Sequence, residues 1–189
     1  MNQVFEAAAE LAIALVEGGF DYCFIGGLAV QRWGEPRMTK DADATVLTRF
    51  VDDEKLVDFL FPRFPSREGN TREFALRYRI IRLETVKGIA LDVGLGALDF
   101  EVTSVDRSSI WQVNSDVSIR TCTAEDLVVH KAFASRNRDW LDVEGILMRQ
   151  GKKLNIRQIF ADLRPLTDLK EDPEIIPRLE GMMRKRGLL

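Results

Sequence analysis

The stretch Thr39-Lys40-Asp41-Ala42-Asp43-Ala44-Thr45-Val46-Leu47 puts two carboxylates two positions apart at the head of an apolar run. The segment from Ala42 to Leu47 reads as a strand, and with a side-chain period of two the carboxylates of Asp41 and Asp43 leave the same face. Roughly 7 Å apart along a strand, such a pair suits hard, oxygen-seeking divalent cations such as Mg²⁺. Mg²⁺ keeps an octahedral shell that few protein oxygens fill, so the remaining oxygens must come from elsewhere, as phosphates supply them. An Asp-x-Asp pair also arises by chance in exposed turns and strand edges, and only its setting separates the two cases.

That setting begins upstream. Phe20 to Ile25 is a short apolar, aromatic run that fits a buried strand, and Gly26-Gly27 then turns the chain into a short helix through Leu28, Ala29 and Trp33, closed by Gly34 and Pro36. Glycines between a strand and a helix let backbone N–H groups approach phosphate oxygens at the positive end of the helix. They are equally at home in an ordinary turn. Downstream, Leu91-Asp92-Val93 buries a third acid in a β-prone run, which is costly without a partner. Three carboxylates that face one another repel unless cations sit between them, and this links Asp92 to Asp41 and Asp43.

The remaining pattern supplies the scaffold. Val4, Ala7, Ala8, Leu11, Leu15 and Val16 recur at helical spacing and stop at Gly18-Gly19, giving an amphipathic first helix. Asp52-Asp53-Glu54 opens a helix carrying Leu56, Val57, Phe59 and Leu60 and ended by Pro62, and residues 63–70 read as a loop. Tyr78 to Val86 and Ile89 to Val93 are β-prone runs joined through Lys87-Gly88 as a hairpin, and another strand is expected near Val117 to Arg120. From Thr123, which has capping-box spacing to Asp126, a long helical region runs to about Gly151, with further helices near 155–169 and 173–186. The expected fold class is α/β (α+β): a small mixed sheet backed by helices over 1–112, and a mainly helical C-terminal lobe over 113–189.

Composition narrows the setting. A chain of 189 residues with 46% hydrophobic content can bury a core without staples, and its two cysteines, Cys23 and Cys122, make neither a disulfide framework nor a paired metal spacing. Reduced thiols, no apolar run long enough for a membrane span and no basic segment ahead of an apolar one at the N-terminus lead to the expectation of a cytoplasmic protein with no membrane partner. A net charge of −3 excludes a chain that coats nucleic acid by bulk electrostatics, while leaving local basic patches at Arg72, Arg77, Arg79 and Arg82 and at Arg184, Lys185 and Arg186. Such clusters also serve as plain solvated faces.

In the C-terminal part Lys131, Arg138 and Asp142 are spaced by seven and four, which on one continuous helix gives a polar stripe. Arg138 and Asp142 are then placed to pair locally and leave Lys131 to reach for phosphate, a surface ion-pair row being the other outcome. Asp139 falls off that stripe, and a break of the helix near Asn137 would dissolve it. His130, the only histidine, lies on a different helix face and reads as structural.

Ile25-Gly26-Gly27, Arg37-x-Thr39-Lys40-Asp41-x-Asp43, Leu91-Asp92-Val93 and Glu125 to Lys131 through Arg138-Asp139-Trp140-Leu141-Asp142-Val143 occur in an order that resembles the DNA polymerase beta superfamily of nucleotidyltransferases, within it the AbiEii-like branch that includes type IV toxin proteins. The resemblance covers most of the chain. It implies a palm-like lobe in which Gly26 and Gly27 hold the triphosphate, Asp41 and Asp43 bind two Mg²⁺ or Mn²⁺ ions, and Asp92 binds one of them and helps deprotonate an acceptor hydroxyl. It also implies nucleotide contacts from Lys131 and support from Arg138, Asp139 and Asp142. Arg37 and Lys40 are candidate phosphate contacts, and Thr39 is expected to orient the strand. The implied reaction moves a nucleoside monophosphate from a triphosphate to a hydroxyl of RNA, tRNA or a protein, toxin-like and with a possible antitoxin partner. The alternatives are transfer to an aminoglycoside- or lincosamide-type drug, and a nucleotide-binding module without turnover.

Overall fold

The computed structural model describes residues 3–189; Met1 and Asn2, which open the lobe expected over 1–112, lie outside them. In chain order the elements are α1 (Gln3–Glu17), β1 (Tyr22–Phe24), α2 (Gly26–Trp33), β2 (Asp41–Leu47), α3 (Asp53–Leu60), α4 (Arg72–Tyr78), β3 (Ile80–Glu84), β4 (Ala90–Gly96), α5 (Asp99–Arg107), β5 (Ser109–Gln112), β6 (Ser118–Thr121), α6 (Ala124–Ala134), α7 (Asn137–Gln150), a 3₁₀ turn at Gly151–Lys153, α8 (Ile156–Lys170) and α9 (Ile175–Arg184). Two compact units result. The first holds the chain up to Leu28 together with Met38–Cys122, and the second holds Ala29–Arg37 together with Thr123–Leu189.

In the first unit one mixed six-stranded sheet has the order β3-β4-β2-β1-β6-β5. Alternation along β2 sends Ala42, Ala44 and Val46 to one face, and Leu91, Val93 and Leu95 of β4 with Ile81 and Leu83 of β3 join them there. These side chains are all essentially buried, and α1 lays Ala7, Ala8, Leu11 and Leu15 across β2, β4 and β6. Each large aliphatic residue so buried contributes about 1.5–3 kcal/mol. A slip of one residue in β2 would turn this set to water and the aspartates to the core, so the apolar face fixes which way the acids point.

Three helical stretches depart from the pattern expected of the sequence, and β5 is a strand that pattern did not include. The strand expected from Tyr78 begins at Ile80, because Thr71 caps a short helix by accepting a hydrogen bond from the Phe74 N–H at 3.1 Å and Arg79, at φ 54°, ends it. Between Leu98 and Arg107 the chain forms α5, where the Glu101 carboxylate accepts the N–H groups of Ala97 at 2.8 Å and Leu98 at 2.9 Å. The long helical region expected from Thr123 to about Gly151, with a break allowed near Asn137, is two helices: Ser135 takes a left-handed φ of 58° and closes α6 through its N–H to the Lys131 carbonyl at 3.1 Å. Its hydroxyl then accepts the Trp140 indole N–H at 3.1 Å, which fixes the entry to α7.

The second unit packs α6 against α7, α8 and α9. Thr123 accepts the Asp126 N–H at 3.1 Å, so the expected cap is formed. On α6 His130 is half-buried; burial, with Lys131 beside it, pushes its imidazolium down to about 4. An imidazole whose folded pKa lies below its unfolded value is a source of stability above pH 6.5 that is lost as pH falls toward 4, where the unfolded chain binds the extra proton. Urea titrations are expected to show a loss of about 2 kcal/mol from this residue between pH 7 and pH 5, and His130→Gln should flatten that part of the profile.

Candidate functional site

Register decides the position of the acids. Parallel pairing of β2 with β4 sets Asp43 opposite Asp92, and Asp41 lies two residues earlier on the same face. A carboxylate oxygen from each of Asp41, Asp43 and Asp92 falls within 4.8 Å of the other two, and all three side chains are half-buried. At that spacing three negative charges in partly excluded solvent repel one another strongly. The donor set is oxygen only, anionic and open on one side, which fits a hard divalent ion that retains other oxygen ligands and does not fit a soft metal needing thiolate or imidazole.

The neighbouring backbone is shaped to these side chains. A Cβ on Gly26, which has φ +57°, would come within 1.8 Å of Asp43 Oδ2, and one on Gly27 within 2.2 Å of Thr39 Oγ1. The glycine pair therefore lets the start of α2 lie directly against the β2 acids. Thr39 is buried and its hydroxyl donates to Asp41 Oδ1 at 2.9 Å, fixing that carboxylate. Lys40, adjacent to both, is exposed.

Arg67 reaches the same face from the α3–α4 connection, a placement the sequence did not announce. Its Nη2 donates to Asp92 Oδ1, while its Nε is buried with no hydrogen-bond partner. An orphaned buried donor of this kind costs about 1–3 kcal/mol. Burial, and the like charge of Arg82, lower the guanidinium from its ordinary pKa, while Asp41, Glu84 and Asp43 work in the opposite direction. Arg82 itself stands opposite Asp92 across β3 and β4.

Within the second unit the break at Ser135 replaces the expected stripe with a different cluster. Lys131 Nζ lies 3.0 Å from Asp139 Oδ1 and 2.9 Å from Asp142 Oδ2, and Arg37 grips Asp142 with Nε at 2.6 Å and Nη2 at 2.8 Å. Arg136 adds a 2.8 Å contact to Asp139. Asp139, which a continuous helix would have set off the stripe, is thus a full partner, and Arg138 is exposed on α7. Burial pushes the Asp142 carboxyl up, but hydrogen bonds and charge from Arg37 and Lys131 together outweigh this and hold it below the usual carboxylate range. Both aspartates and Lys131 are buried, so this alternating row of charges holds α6, α7 and the segment before β2 in one arrangement.

No protein-family model and no curated protein matches the chain. Among solved structures the chain is similar to an antigenic nucleotidyltransferase-like protein from Paracoccidioides brasiliensis, with 17% identity over 94% of this chain and 92% of that one and a TM-score of 0.50. It is also similar to the antibiotic-resistance factor ANT(2'')-Ia, with 14% identity over 92% of this chain and 97% of that one and a TM-score of 0.54. At these identities the likeness establishes a nucleotidyltransferase-like fold.

Two outcomes test the site as built. Gly26→Ala should drive Asp43 out of the cluster, lowering Mn²⁺ affinity at least about tenfold, with a stability loss of about 2 kcal/mol from the forced backbone. Asp142→Ala should cost about 2–4 kcal/mol in urea unfolding, because Arg37 and Lys131 lose a buried counter-charge.

Proposed function

We propose that this chain is a metal-dependent nucleotidyltransferase that moves a nucleoside monophosphate from a triphosphate to a hydroxyl acceptor and releases pyrophosphate. The observation that carries the reading is the convergence of Asp41, Asp43 and Asp92 from two parallel strands to within 4.8 Å beside the glycine-bearing start of a helix. Divalent ions held by the three carboxylates would neutralise the triphosphate and favour the ionised acceptor hydroxyl. In the transfer the acceptor oxygen bonds to the α-phosphorus as the bond from that phosphorus to the bridging oxygen of pyrophosphate breaks. Asp92, with one oxygen toward the pair on β2, accepts the acceptor's proton directly or through water. Thr39 holds Asp41 in its rotamer. Gly26 and Gly27 leave backbone N–H groups accessible to phosphate oxygens.

For the acceptor we favour RNA, tRNA or a protein, the toxin-like activity of the AbiEii-like branch, which carries with it the expectation of an antitoxin partner. Arg67 and Arg82 share the face of the triad, which favours an anionic acceptor over a cationic one there. A second reading, transfer to a drug hydroxyl, draws support from the likeness to the antibiotic-resistance factor over 92% of the chain. The phosphate contact expected of Lys40, exposed next to Asp41, belongs to the same proposal, whereas Arg37 and Lys131 are engaged by Asp142 and Asp139.

The test is incubation with each of the four α-labelled triphosphates, Mg²⁺ or Mn²⁺, and in parallel total tRNA, a protein extract and aminoglycosides. Label should pass to one acceptor class and fall by about 10³-fold or more in Asp41→Asn and Asp43→Asn, roughly the 4 kcal/mol that loss of a charge-stabilising site removes. Transfer that survives in both variants contradicts the site, and triphosphate binding without transfer to any acceptor favours the non-catalytic module.

A further inference from the structure

Arg67 is delivered to the acids by an ordered segment. The Glu84 N–H donates to the Pro65 carbonyl at 2.9 Å, the Arg67 N–H donates to the Arg82 carbonyl at 3.0 Å, and Ser66 bridges Leu83, so residues 65–67 run along the outer edge of β3. Asn70, itself buried, returns the chain: its side chain accepts the Arg82 N–H at 3.0 Å and donates to Ser66 Oγ at 3.0 Å, and its N–H donates to the Arg67 carbonyl at 3.0 Å. With the backbone of Arg67 held on both sides, only its side chain has freedom, and that side chain ends on Asp92.

The manner of the contact is informative. A guanidinium built permanently into a carboxylate site offers a planar fork and satisfies its Nε. Here Nη2 meets one oxygen of Asp92 and the buried Nε has no partner. Side-chain exposures of 22% for Arg67 and 25% for Asp92 leave the pair a path to solvent. Asp92 is also the acid that completes the carboxylate cluster across the strand pair.

From these observations, and resting on the reading of the cluster as a divalent-cation site, we infer that Arg67 and the cation compete for Asp92, so that metal loading exchanges a tethered guanidinium for the ion. A guanidinium on Asp92 Oδ1 and a divalent ion drawing on the same carboxylate repel one another, the more so as water is excluded, so each weakens the other's hold. The exchange restores to Arg67 the hydrogen bonds that its buried Nε lacks, and it sets metal affinity below what three unopposed carboxylates would give. Arg67 is in this sense a positioning residue that acts through Asp92.

The experiment is an Mn²⁺ titration of the full chain by electron paramagnetic resonance, without nucleotide, for the wild type, Arg67→Gln, Arg67→Lys, Asp41→Asn, Asp92→Asn and the Arg67→Gln/Asp92→Asn double variant. Arg67→Gln should bind Mn²⁺ about tenfold tighter, Arg67→Lys should stay within about threefold of the wild type, and the gain from Arg67→Gln should vanish in the Asp92→Asn background. Unchanged or weaker binding in Arg67→Gln, with binding still lost in Asp92→Asn, overturns the exchange and leaves the metal site standing. Binding indifferent to Asp92→Asn and to Asp41→Asn overturns both. A measurement on the unaltered fold guards against a variant that does not fold: in ¹⁵N spectra the Arg67 Nε–Hε signal, assigned through Arg67→Lys, should shift on adding Mg²⁺ to the wild type. A signal that stays fixed while the metal binds also overturns the exchange.

Discussion

Mutual repulsion of three carboxylates is the constraint around which the first unit is organised. β2 and β4 are parallel neighbours, so the register that opposes Ala42 to Leu91 and Ala44 to Val93 on the buried face necessarily opposes Asp43 to Asp92 on the other. Hydrophobic burial beneath α1 therefore supplies the free energy that holds like charges together. The acids need not attract anything for the sheet to form.

The immediate surroundings answer that repulsion with positive groups and close backbone. Arg67 contacts Asp92, Arg82 stands across from it, and Thr39 donates to Asp41. The start of α2 approaches so near that Gly26 and Gly27 have no room for a side chain. In the second unit the same problem has a different solution, since Asp139 and Asp142 are matched by Lys131, Arg136 and Arg37 and need no outside cation. One acidic cluster is internally compensated and the other only partly so. This difference separates a structural ion network from a candidate cation site.

What was legible in the sequence follows from where local pattern and tertiary structure agree. α1, β2, β4, β6 and the C-terminal helices carry clear apolar periodicity, and the convergence of Asp41, Asp43 and Asp92 could be read from strand alternation plus the cost of an unpartnered acid. α4 was not legible because Ala75 is its only buried residue, which leaves no apolar stripe. α5 was hidden by Phe100, Val102, Thr103 and Val105, residues that favour strands and are overruled here by packing and by Glu101 at the helix start. A break near Asn137 was open from the sequence, but its place at Ser135 needs a left-handed residue without glycine, which no propensity announces, and it rearranged Lys131, Asp139 and Asp142. Arg67 depends on a loop pairing with the edge of β3, a long-range event with no local signature.

The account turns on whether the three acids hold metal beside a triphosphate. Crystals grown with Mn²⁺ and a non-hydrolysable triphosphate analogue, measured at an energy where manganese scatters anomalously, address this directly. The account predicts anomalous peaks ligated by Asp41, Asp43 and Asp92 and by phosphate oxygens of the analogue. Bound analogue with no peak at these carboxylates, or manganese ligated elsewhere on the chain, would contradict it.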